Sequence, residues 1–389
     1  MYFYNQKPIR LIELFAGIGS QAKALKNLGI DFEHWYVCEL DKHAVKSYNA
    51  VHNTNFTTSD ITKITANDLN ITDTKEYTYL LTYSFPCQDL SNAGRGGGME
   101  KGSGTRSGLL WEVERLLTEC TELPQVLLME NVPQVNSEKN KDHFEKWIAF
   151  LKSKGYSNHW QNLNVRDFGI PQTRSRCFMV SILGNYSFEF PKPIPLEKRL
   201  IDVMEHNVDE KYYLDGKYES ILKVNDNYSL LCGGTIGKMH DISRRVYHPE
   251  YIAPALHTCG GGYQEPKVFE PCVIGGIGEK KSNGGRQWYQ QDRIYDDKIA
   301  ISVTTSFQPY YLDTHQGRPR KLTPKECWRL MGFDDEDFIV AETVCSNSQL
   351  YKQAGNSIVV NVLMAIFKEL FLPTKTRSEW LDELLGGDL

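Results

Sequence analysis

The sequence predicts an α/β protein that has a mostly parallel sheet, helices on both faces of the sheet, and a second, smaller, irregular β-rich domain. Short apolar runs alternate with amphipathic stretches of helical length through the first half of its 389 residues. A proline-rich junction, FPKPIPLEKR, follows at 190–199, and the chain after it is rich in glycine, tyrosine and short β-like runs. A strongly apolar helix at 357–371 is expected to pack back on the first domain.

The elements are predicted in chain order from these alternations. A helix at 19–29 ends with Gly29, a typical residue after a helix C-terminus. Two later segments, at 244–258 and 292–305, share an Arg-aliphatic-Tyr start and a Thr-ended strand. The other predicted strands and helices are strands at 8–17, 34–40, 79–85, 125–132, 158–165 and 176–183, and helices at 108–120 and 141–155.

Composition places the chain among globular proteins of the cytoplasm. It is 41% apolar and 24% charged, and no apolar run is long enough to cross a bilayer. Residues 1–10 lack the apolar core of a signal peptide. The nine cysteines contain no CxxC pair, which favours reduced thiols, and no metal site is predicted. The net charge of −5 disfavours indiscriminate coating of nucleic acid but allows a local basic cleft.

A glycine-containing turn follows the first predicted strand. Gly17 and Gly19 open the next helix, so that bare backbone can approach a ligand at the helix N-terminus. Glu39 lies about twenty residues on, at the end of the next strand, where a carboxylate can hold ribose hydroxyls. Asp60 and Ile61 could pair with an adenine amino group and pack on its face. The pattern predicts a nucleoside-type cofactor, either a nicotinamide dinucleotide or S-adenosylmethionine.

Cys87 follows an apolar strand at the position where open α/β proteins place their chemistry. A lone cysteine is more often an inert core residue. The adjacent glycine-rich segment at 94–108, which carries three basic residues, is typical of a mobile basic lid and favours a nucleophile. Glu130 ends a neighbouring strand and is expected to lie beside Cys87, where burial would raise its pKa. The alternative for Glu130 is a surface residue in a loop.

Arg174 and Arg176 occupy alternate positions of a predicted strand and are therefore expected on one face. Two guanidinium groups on one face need anions or carbonyls as partners. A buried salt bridge is the alternative interpretation for one of them.

Six blocks in this order resemble the signature motifs of the DNA (cytosine-5)-methyltransferases of bacterial and phage restriction-modification systems. They are FAGIGS at 15–20, PCQ at 86–88, ENV at 130–132, QTRSR at 172–176, RKLTPKECWRLMGF at 320–333 and QAGNS at 353–357. Their order makes the resemblance specific, whereas 192–319 contains no diagnostic motif. The resemblance implies a Rossmann-like S-adenosylmethionine-dependent methyltransferase domain, residues 1–191 plus 334–389, and a target-recognition domain with its hinge, residues 192–333.

The resemblance also implies a mechanism. In that family a cysteine thiolate adds to carbon 6 of cytosine, which makes carbon 5 able to attack the methyl group. Cys87 would be this nucleophile, and Glu130 would hold ring N3 and the exocyclic amine. Arg176 would bind the O2 carbonyl, while Arg174 would help to order the site.

The implied cofactor is S-adenosylmethionine, with S-adenosylhomocysteine as product, and the implied partner is double-stranded DNA. The target base would be swung out of the duplex, and Ser91 and Arg95 would touch DNA. The residues carried over to the cofactor are Phe15, Gly17 and Gly19 at the methionine end, Glu39 at the ribose, Leu40, Asp60 and Ile61 around the adenine, and Pro86, Leu109, Asn356 and Ser357 along the pocket.

Two other functions are open at this point. The first is an RNA cytosine-5 methyltransferase, which the long 192–319 region disfavours. The second is a catalytically idle DNA-binding regulator, which the intact Cys87, Glu130 and Arg176 disfavour. A nicotinamide dehydrogenase would leave the QTRSR block unexplained. The chain is further expected to be a monomer, to have no membrane partner, and to have a cognate restriction endonuclease as a functional partner.

Overall fold

A computed structural model gives the arrangement of most of the chain. The residues it describes are 7–87, 90, 99–102, 104–206, 208–212, 252–256 and 318–372, together with short strands between 223 and 312. The predicted DNA contacts Ser91 and Arg95 lie outside the described residues.

The centre of the molecule is a six-stranded sheet in the order β2-β1-β3-β4-β7-β5. Strands β1 to β4 are parallel, and β7 runs antiparallel to both β4 and β5. The mostly parallel α/β fold predicted from the sequence is therefore confirmed. The bounds of these strands are β1 Ile9–Leu14, β2 Phe32–Cys38, β3 Thr78–Tyr83, β4 Val126–Asn131, β5 Tyr156–Asn164 and β7 Ser175–Leu183.

Helices cover both faces of this sheet. They are α1 Ser20–Asn27, α2 Lys42–His52, α3 Ala66–Leu69, α4 Leu110–Glu119, α5 Lys141–Ser153, α6 Pro324–Arg329, α7 Asp335–Glu342, α8 Asn347–Asn356 and α9 Val360–Phe371. Among the helices predicted from the sequence, α1, α4, α5 and α9 form with bounds close to those expected.

The sheet strands are apolar on both sides, and their alternate residues feed two hydrophobic cores. Leu80 packs in the core that contains residues of α1 and α9, whereas the next residue, Leu81, packs in the core that contains residues of α4 and α5. Because side chains alternate across a strand, a parallel sheet covered on both faces needs such continuous apolar runs.

Helix α9 is the apolar segment predicted near the end of the chain. The stretch Asn347–Phe371 is long and apolar enough to cross a membrane by composition, but 67% of its most apolar window is buried inside the protein. Its buried residues, such as Ile366 and Phe367, share one core with Ile9 and Leu11 of β1. Helix α9 is accordingly a core helix that returns to the first domain.

The region after residue 190 contains short strands where the structure describes it. They are β8 Lys223–Val224, β9 Gly234–Thr235, β10 Arg245–Tyr247, β11 Ala253–Pro254, β12 Lys267–Glu270, β13 Gly275–Gly276, β14 Arg293–Asp296, β15 Tyr310–Leu312 and β16 Arg318–Lys321. One further short strand, β6 Gln172–Thr173, precedes this region.

Five of these strands form a sheet in the order β16-β12-β10-β9-β8, and β13, β14 and β15 form another. The two similar segments of the sequence each begin with a strand, β10 and β14. After β16, residues such as Leu322, Trp328 and Phe333 pack in the same core as β1. The domain boundaries drawn from the sequence stay a prediction.

Candidate active site at the carboxyl edge of the sheet

The turn after β1 has the backbone conformation that its glycines allow. Phe15, Gly17 and Gly19 all have positive φ, of 59°, 59° and 80°. Open space surrounds Gly17 where a Cβ would be, whereas a Cβ on Gly19 would collide with the side chains below it. The turn therefore exposes bare backbone at Gly17, at the entrance to α1, and packs tightly at Gly19.

Glu39 lies directly after β2 and faces this turn. Its Oε2 accepts a hydrogen bond from the Gly17 amide at 2.9 Å, and its Oε1 accepts one from the Asp41 amide at 2.8 Å. Burial raises the pKa of Glu39, and the two amides oppose that shift. A carboxylate has about four lone-pair sites, so two hydroxyl groups of a ribose can still be accommodated.

A groove of about 420 Å³ begins at Leu40, the residue after Glu39. Leu40 lines it and is 69% exposed, an unusual state for a large apolar side chain that suits the face of a base. Asp60 also lines the groove, and the Thr62 hydroxyl and amide lower the pKa of its carboxyl. Ile61 points instead into the core beneath, and Ile64 lines the groove.

The other predicted cofactor residues lie around the exits of β3 and α8. The Pro86 carbonyl accepts a hydrogen bond from the Ser107 hydroxyl at 2.8 Å, which fixes the turn that contains Leu109 against it. Asn356 is exposed at the end of α8. Ser357 is buried, and its hydroxyl donates to the Gln353 carbonyl at 2.7 Å. The Ser357 hydroxyl is therefore bonded to a carbonyl in the last turn of α8.

These features fit S-adenosylmethionine in the part of the chain that the structure describes. The open backbone at Gly17 suits a close-approaching methionine moiety, the Glu39 carboxylate suits a ribose, and the exposed Leu40 suits an adenine face. Over the same described residues, no group of three or more His, Cys, Asp or Glu side chains is placed to hold a metal ion.

Cys87 lies four residues beyond the end of β3, at the same edge of the sheet. Its thiol is half-buried and unpaired with any other sulfur. Burial raises the pKa of Cys87, and the neighbouring Glu130 raises it further, whereas Arg176 and Arg174 lower it. The four groups predicted to form the catalytic centre are thus close enough to influence one another's charge.

Glu130 ends β4 next to the strand that leads to Cys87, as its position in the sequence predicted. Its Oε1 is 3.1 Å from Arg176 Nε, and the carboxyl is 8% exposed. Burial raises the pKa of Glu130, while Arg176 and Arg174 lower it. The result is a carboxyl that can hold or donate a proton beside a thiol.

The two arginines of QTRSR have different environments. Arg176 faces Glu130 and is partly exposed, so its guanidinium can reach a ligand. Arg174 is buried and donates to the carbonyls of Leu256, Gly355 and Ser357 at 2.9, 3.0 and 2.9 Å. Burial lowers the pKa of Arg174 to about 9, and the nearby Arg176 adds to that shift.

Asn131 and Gln172 were not singled out by sequence reasoning. The Asn131 amide donates to the Phe85 carbonyl at 2.8 Å and thereby ties the end of β4 to the segment that carries Cys87. The Gln172 amide donates to Leu330 O and accepts from Leu256 N. Both residues stand within the ENV and QTRSR blocks, and this was the only signal available in the sequence.

The fold is that of the Rossmann-like methyltransferases. A solved structure, the Entamoeba histolytica methyltransferase EhMeth, superposes with a TM-score of 0.65 at 17% identity and covers 94% of this chain and 98% of its own. The S. pombe Dnmt2 methyltransferase gives a TM-score of 0.60 at 18% identity, over 98% and 100% of the two chains. These similarities establish the fold.

Sequence comparison identifies the family. The C-5 cytosine-specific DNA methylase family matches residues 9–372. The orphan methyltransferase M.SssI of Spiroplasma monobiae is 34% identical over 94% of this chain and 97% of its own. The orphan methyltransferase M.SPBetaI of Bacillus phage SPbeta and the type II methyltransferase M2.ScrFI of Lactococcus lactis are each 31% identical over 93% of this chain. The chain belongs to the C-5 cytosine-specific DNA methylase family, which confirms the resemblance seen in the sequence.

Proposed function

We propose that this chain transfers a methyl group from S-adenosylmethionine to carbon 5 of a cytosine in double-stranded DNA, at a specific sequence. One observation carries the proposal. The Cys87 thiol, the Glu130 carboxyl and the Arg176 guanidinium lie close together at the sheet edge where Glu39 also binds the glycine turn. A nucleophile, a proton-holding acid and a carbonyl-binding cation are the groups that addition to a cytosine ring needs.

The first step is addition of the Cys87 thiolate to carbon 6, which forms a sulfur–carbon bond and moves an electron pair of the ring toward carbon 5 and N3. Glu130 holds ring N3 and the exocyclic amine, and its raised pKa suits it to share a proton there. Arg176 binds the O2 carbonyl and stabilises the negative charge that develops on the ring. Its ion pair with Glu130 holds both groups in place.

The second half of the reaction restores the ring. The bound donor supplies an electrophilic methyl group on a sulfonium. Once carbon 5 carries the methyl group, a base removes the carbon 5 proton, the sulfur–carbon bond breaks, and Cys87 leaves as a thiolate. The product of the donor is S-adenosylhomocysteine.

Cys87 can reach carbon 6 only if the cytosine leaves the stacked duplex, which costs roughly a few kcal/mol. The segment that follows Cys87, with Ser91 and Arg95, is proposed to contact DNA and to close over the extruded base. The proposed target-recognition domain, 192–333, supplies the sequence reading. The catalytic domain is 1–191 plus 334–389.

Arg174 is proposed to help order the site through the carbonyl groups that it binds. Its three carbonyl partners come from 252–256 and from the end of α8, so it joins the recognition region to the block that carries Asn356 and Ser357. Phe15, Gly17, Glu39, Leu40 and Asp60 are proposed donor contacts. Pro86 and Leu109 are proposed to line the same pocket. We further propose a monomeric modification enzyme of the cytoplasm, paired in function with a restriction endonuclease.

Transfer of a labelled methyl group from S-adenosylmethionine to mixed-sequence duplex DNA tests this function. The wild-type chain is expected to label DNA, and bisulfite sequencing of DNA from expressing cells is expected to show one methylated sequence. Cys87→Ala is expected to lower the rate at least about a thousandfold while the donor still binds. Cys120→Ala, which alters another half-buried thiol, serves as the matched control and should keep full activity.

Three results would contradict the proposal. Labelling of transfer RNA without labelling of DNA would favour an RNA methyltransferase. Near-normal methylation by Cys87→Ala would remove Cys87 from the nucleophile role. A wild-type chain that binds DNA but transfers no methyl group would favour the idle regulator.

A further inference from the structure

A buried polar cluster lies directly beneath the glycine turn, outside the catalytic edge. Glu13 of β1 and Tyr48 of α2 are both fully buried. The Tyr48 hydroxyl donates to Glu13 Oε2 at 2.5 Å and lies 2.8 Å from His34 Nδ1 of β2. His52, one turn after Tyr48, contacts the Ile18 carbonyl through Nε2 at 3.1 Å. Four titratable side chains from three elements therefore meet under the turn.

The hydrogen bonds fix where the protons are. When Glu13 is ionised, the Tyr48 hydroxyl donates its proton to it, and His34 Nδ1 then donates to the Tyr48 oxygen. Burial lowers the pKa of His52 to about 3, so its ring is neutral. A carbonyl can only accept, so His52 Nε2 carries the proton and donates it to Ile18.

This cluster supports the turn and the start of α1. A Cβ on Gly19 would lie 2.7 Å from the Tyr48 ring and would also collide with His52, so the turn rests directly on these two rings. Helix α1 has no side-chain cap and no acid in its first turn. The buried Glu13 instead places a carboxyl group near the first turn of α1. Burial raises the pKa of Glu13, and a hydrogen bond from the Ala22 amide opposes that rise.

We propose that Glu13, Tyr48 and His52 are positioning residues that hold Ile18 and Gly19 in the conformation the methyl donor requires, and that the charge on Glu13 sets how firmly they do so. This inference rests on the proposed function, in which the glycine turn holds S-adenosylmethionine. None of the three residues touches the donor in this proposal. They act through the backbone of the turn.

The proposal makes donor affinity depend on pH. Burial raises the pKa of Glu13 to about 7, against the opposing effects of Tyr48 and the Ala22 amide. The other titratable groups that face the cluster are His34 from β2, His52 from α2, and Lys23 and Lys26 of the α1 segment, whose charges lower the pKa of His52. Thr82, opposite Glu13 on β3, is uncharged.

The direction in which donor affinity changes with pH follows from the charge on Glu13. An ionised Glu13 accepts the Tyr48 hydrogen bond more strongly and complements the first turn of α1. Donor binding is therefore expected to tighten as the pH rises from about 6 to about 8.

Calorimetric titration with S-adenosylhomocysteine at about pH 6, 7 and 8 tests the inference, together with thermal unfolding without ligand. Tyr48→Phe removes one hydroxyl without changing shape. It is expected to weaken binding at the highest pH about threefold to tenfold and to lose most of the pH dependence. Tyr156→Phe is the matched control. Tyr156 lies on β5, and its buried hydroxyl donates to the Pro124 carbonyl at 2.7 Å. It should bind like the wild type.

Glu13→Gln is the second variant, since it removes the charge but keeps an oxygen that can accept from Tyr48. It is expected to flatten the pH dependence even if Tyr48→Phe fails to fold. Wild-type affinity and pH dependence in both variants would overturn the inference and leave the proposed function intact. Equal weakening in Tyr156→Phe would likewise overturn it, because the effect would then be general destabilisation. A wild-type chain that binds no S-adenosylhomocysteine would contradict the proposed donor as well.

Discussion

The Cys87 thiol lies in an environment that keeps it protonated at rest. Burial and the Glu130 charge both raise its pKa, whereas the two arginines and a backbone hydrogen bond lower it. In the proposed mechanism the thiol loses its proton as the cytosine binds and Glu130 engages the ring.

Alkylation of Cys87 by iodoacetamide across a pH series checks this balance. Glu130→Gln removes a negative neighbour, so the pKa of Cys87 is expected to fall and the alkylation profile to move to lower pH. Arg176→Gln removes a positive neighbour, so the profile is expected to move to higher pH. Cys87→Ser measures the background from the other thiols. Shifts in the same direction for both variants would contradict the charge assignments.

The start of α6 shows how a single element is fixed by a buried ion pair. Arg320 is the penultimate residue of β16. Its guanidinium lies 2.7 and 2.8 Å from the two Glu326 oxygens, and both side chains are fully buried. Glu326 also accepts from the Thr323 amide and completes a capping box. Its Oε1 additionally accepts from the Glu205 amide at 2.7 Å. Strand β16, helix α6 and the segment that contains Glu205 therefore meet at the Glu326 carboxylate.

Removing one partner of this pair leaves a buried charge unpaired. Glu326→Gln is expected to lower the free energy of unfolding by about 3–5 kcal/mol, measured by urea denaturation. The double variant Arg320→Met with Glu326→Leu is expected to recover part of that loss, because no charge is then buried alone. A single variant as stable as the wild type would show that the pair adds nothing to this junction.

At the scale of the molecule, two elements far apart in the sequence, β1 and α9, share one core. Helix α9 packs against α1 and lies in the same hydrophobic cluster as β1, although more than 330 residues separate them. Helix α1, which follows the glycine turn, is thus packed against α9. Stability of the whole first domain is expected to depend on α9.

Two isoleucines give a matched test of this dependence. Ile366 of α9 is fully buried, so Ile366→Ala is expected to lower the free energy of unfolding by about 2–5 kcal/mol. Ile339 of α7 is 54% exposed, so Ile339→Ala is expected to change it by less than about 0.5 kcal/mol. Equal effects in urea denaturation would contradict a core role for α9.

Sequence reasoning reached the fold through local patterns and reached the site through short blocks. The apolar runs of β1, β3 and β4 and the glycine after α1 depend on nearby residues, and they were predicted correctly. The partners of Arg174 were not, because Leu256 and Gly355 are 82 and 181 residues away. Ile61 and Ile64 are both buried in one core, and the sequence carries no period there that shows which of them also lines the groove.

The sequence by itself determined that this is a mostly parallel α/β protein of the cytosine-5 methyltransferase family, because strand and helix periodicity and the order of six short blocks are written along the chain. Only the tertiary structure decided that Glu130 pairs with Arg176, that Arg174 donates to three carbonyls, and that Tyr48 and His52 lie against Gly19. Such contacts join residues from different elements, and their distances depend on how those elements pack.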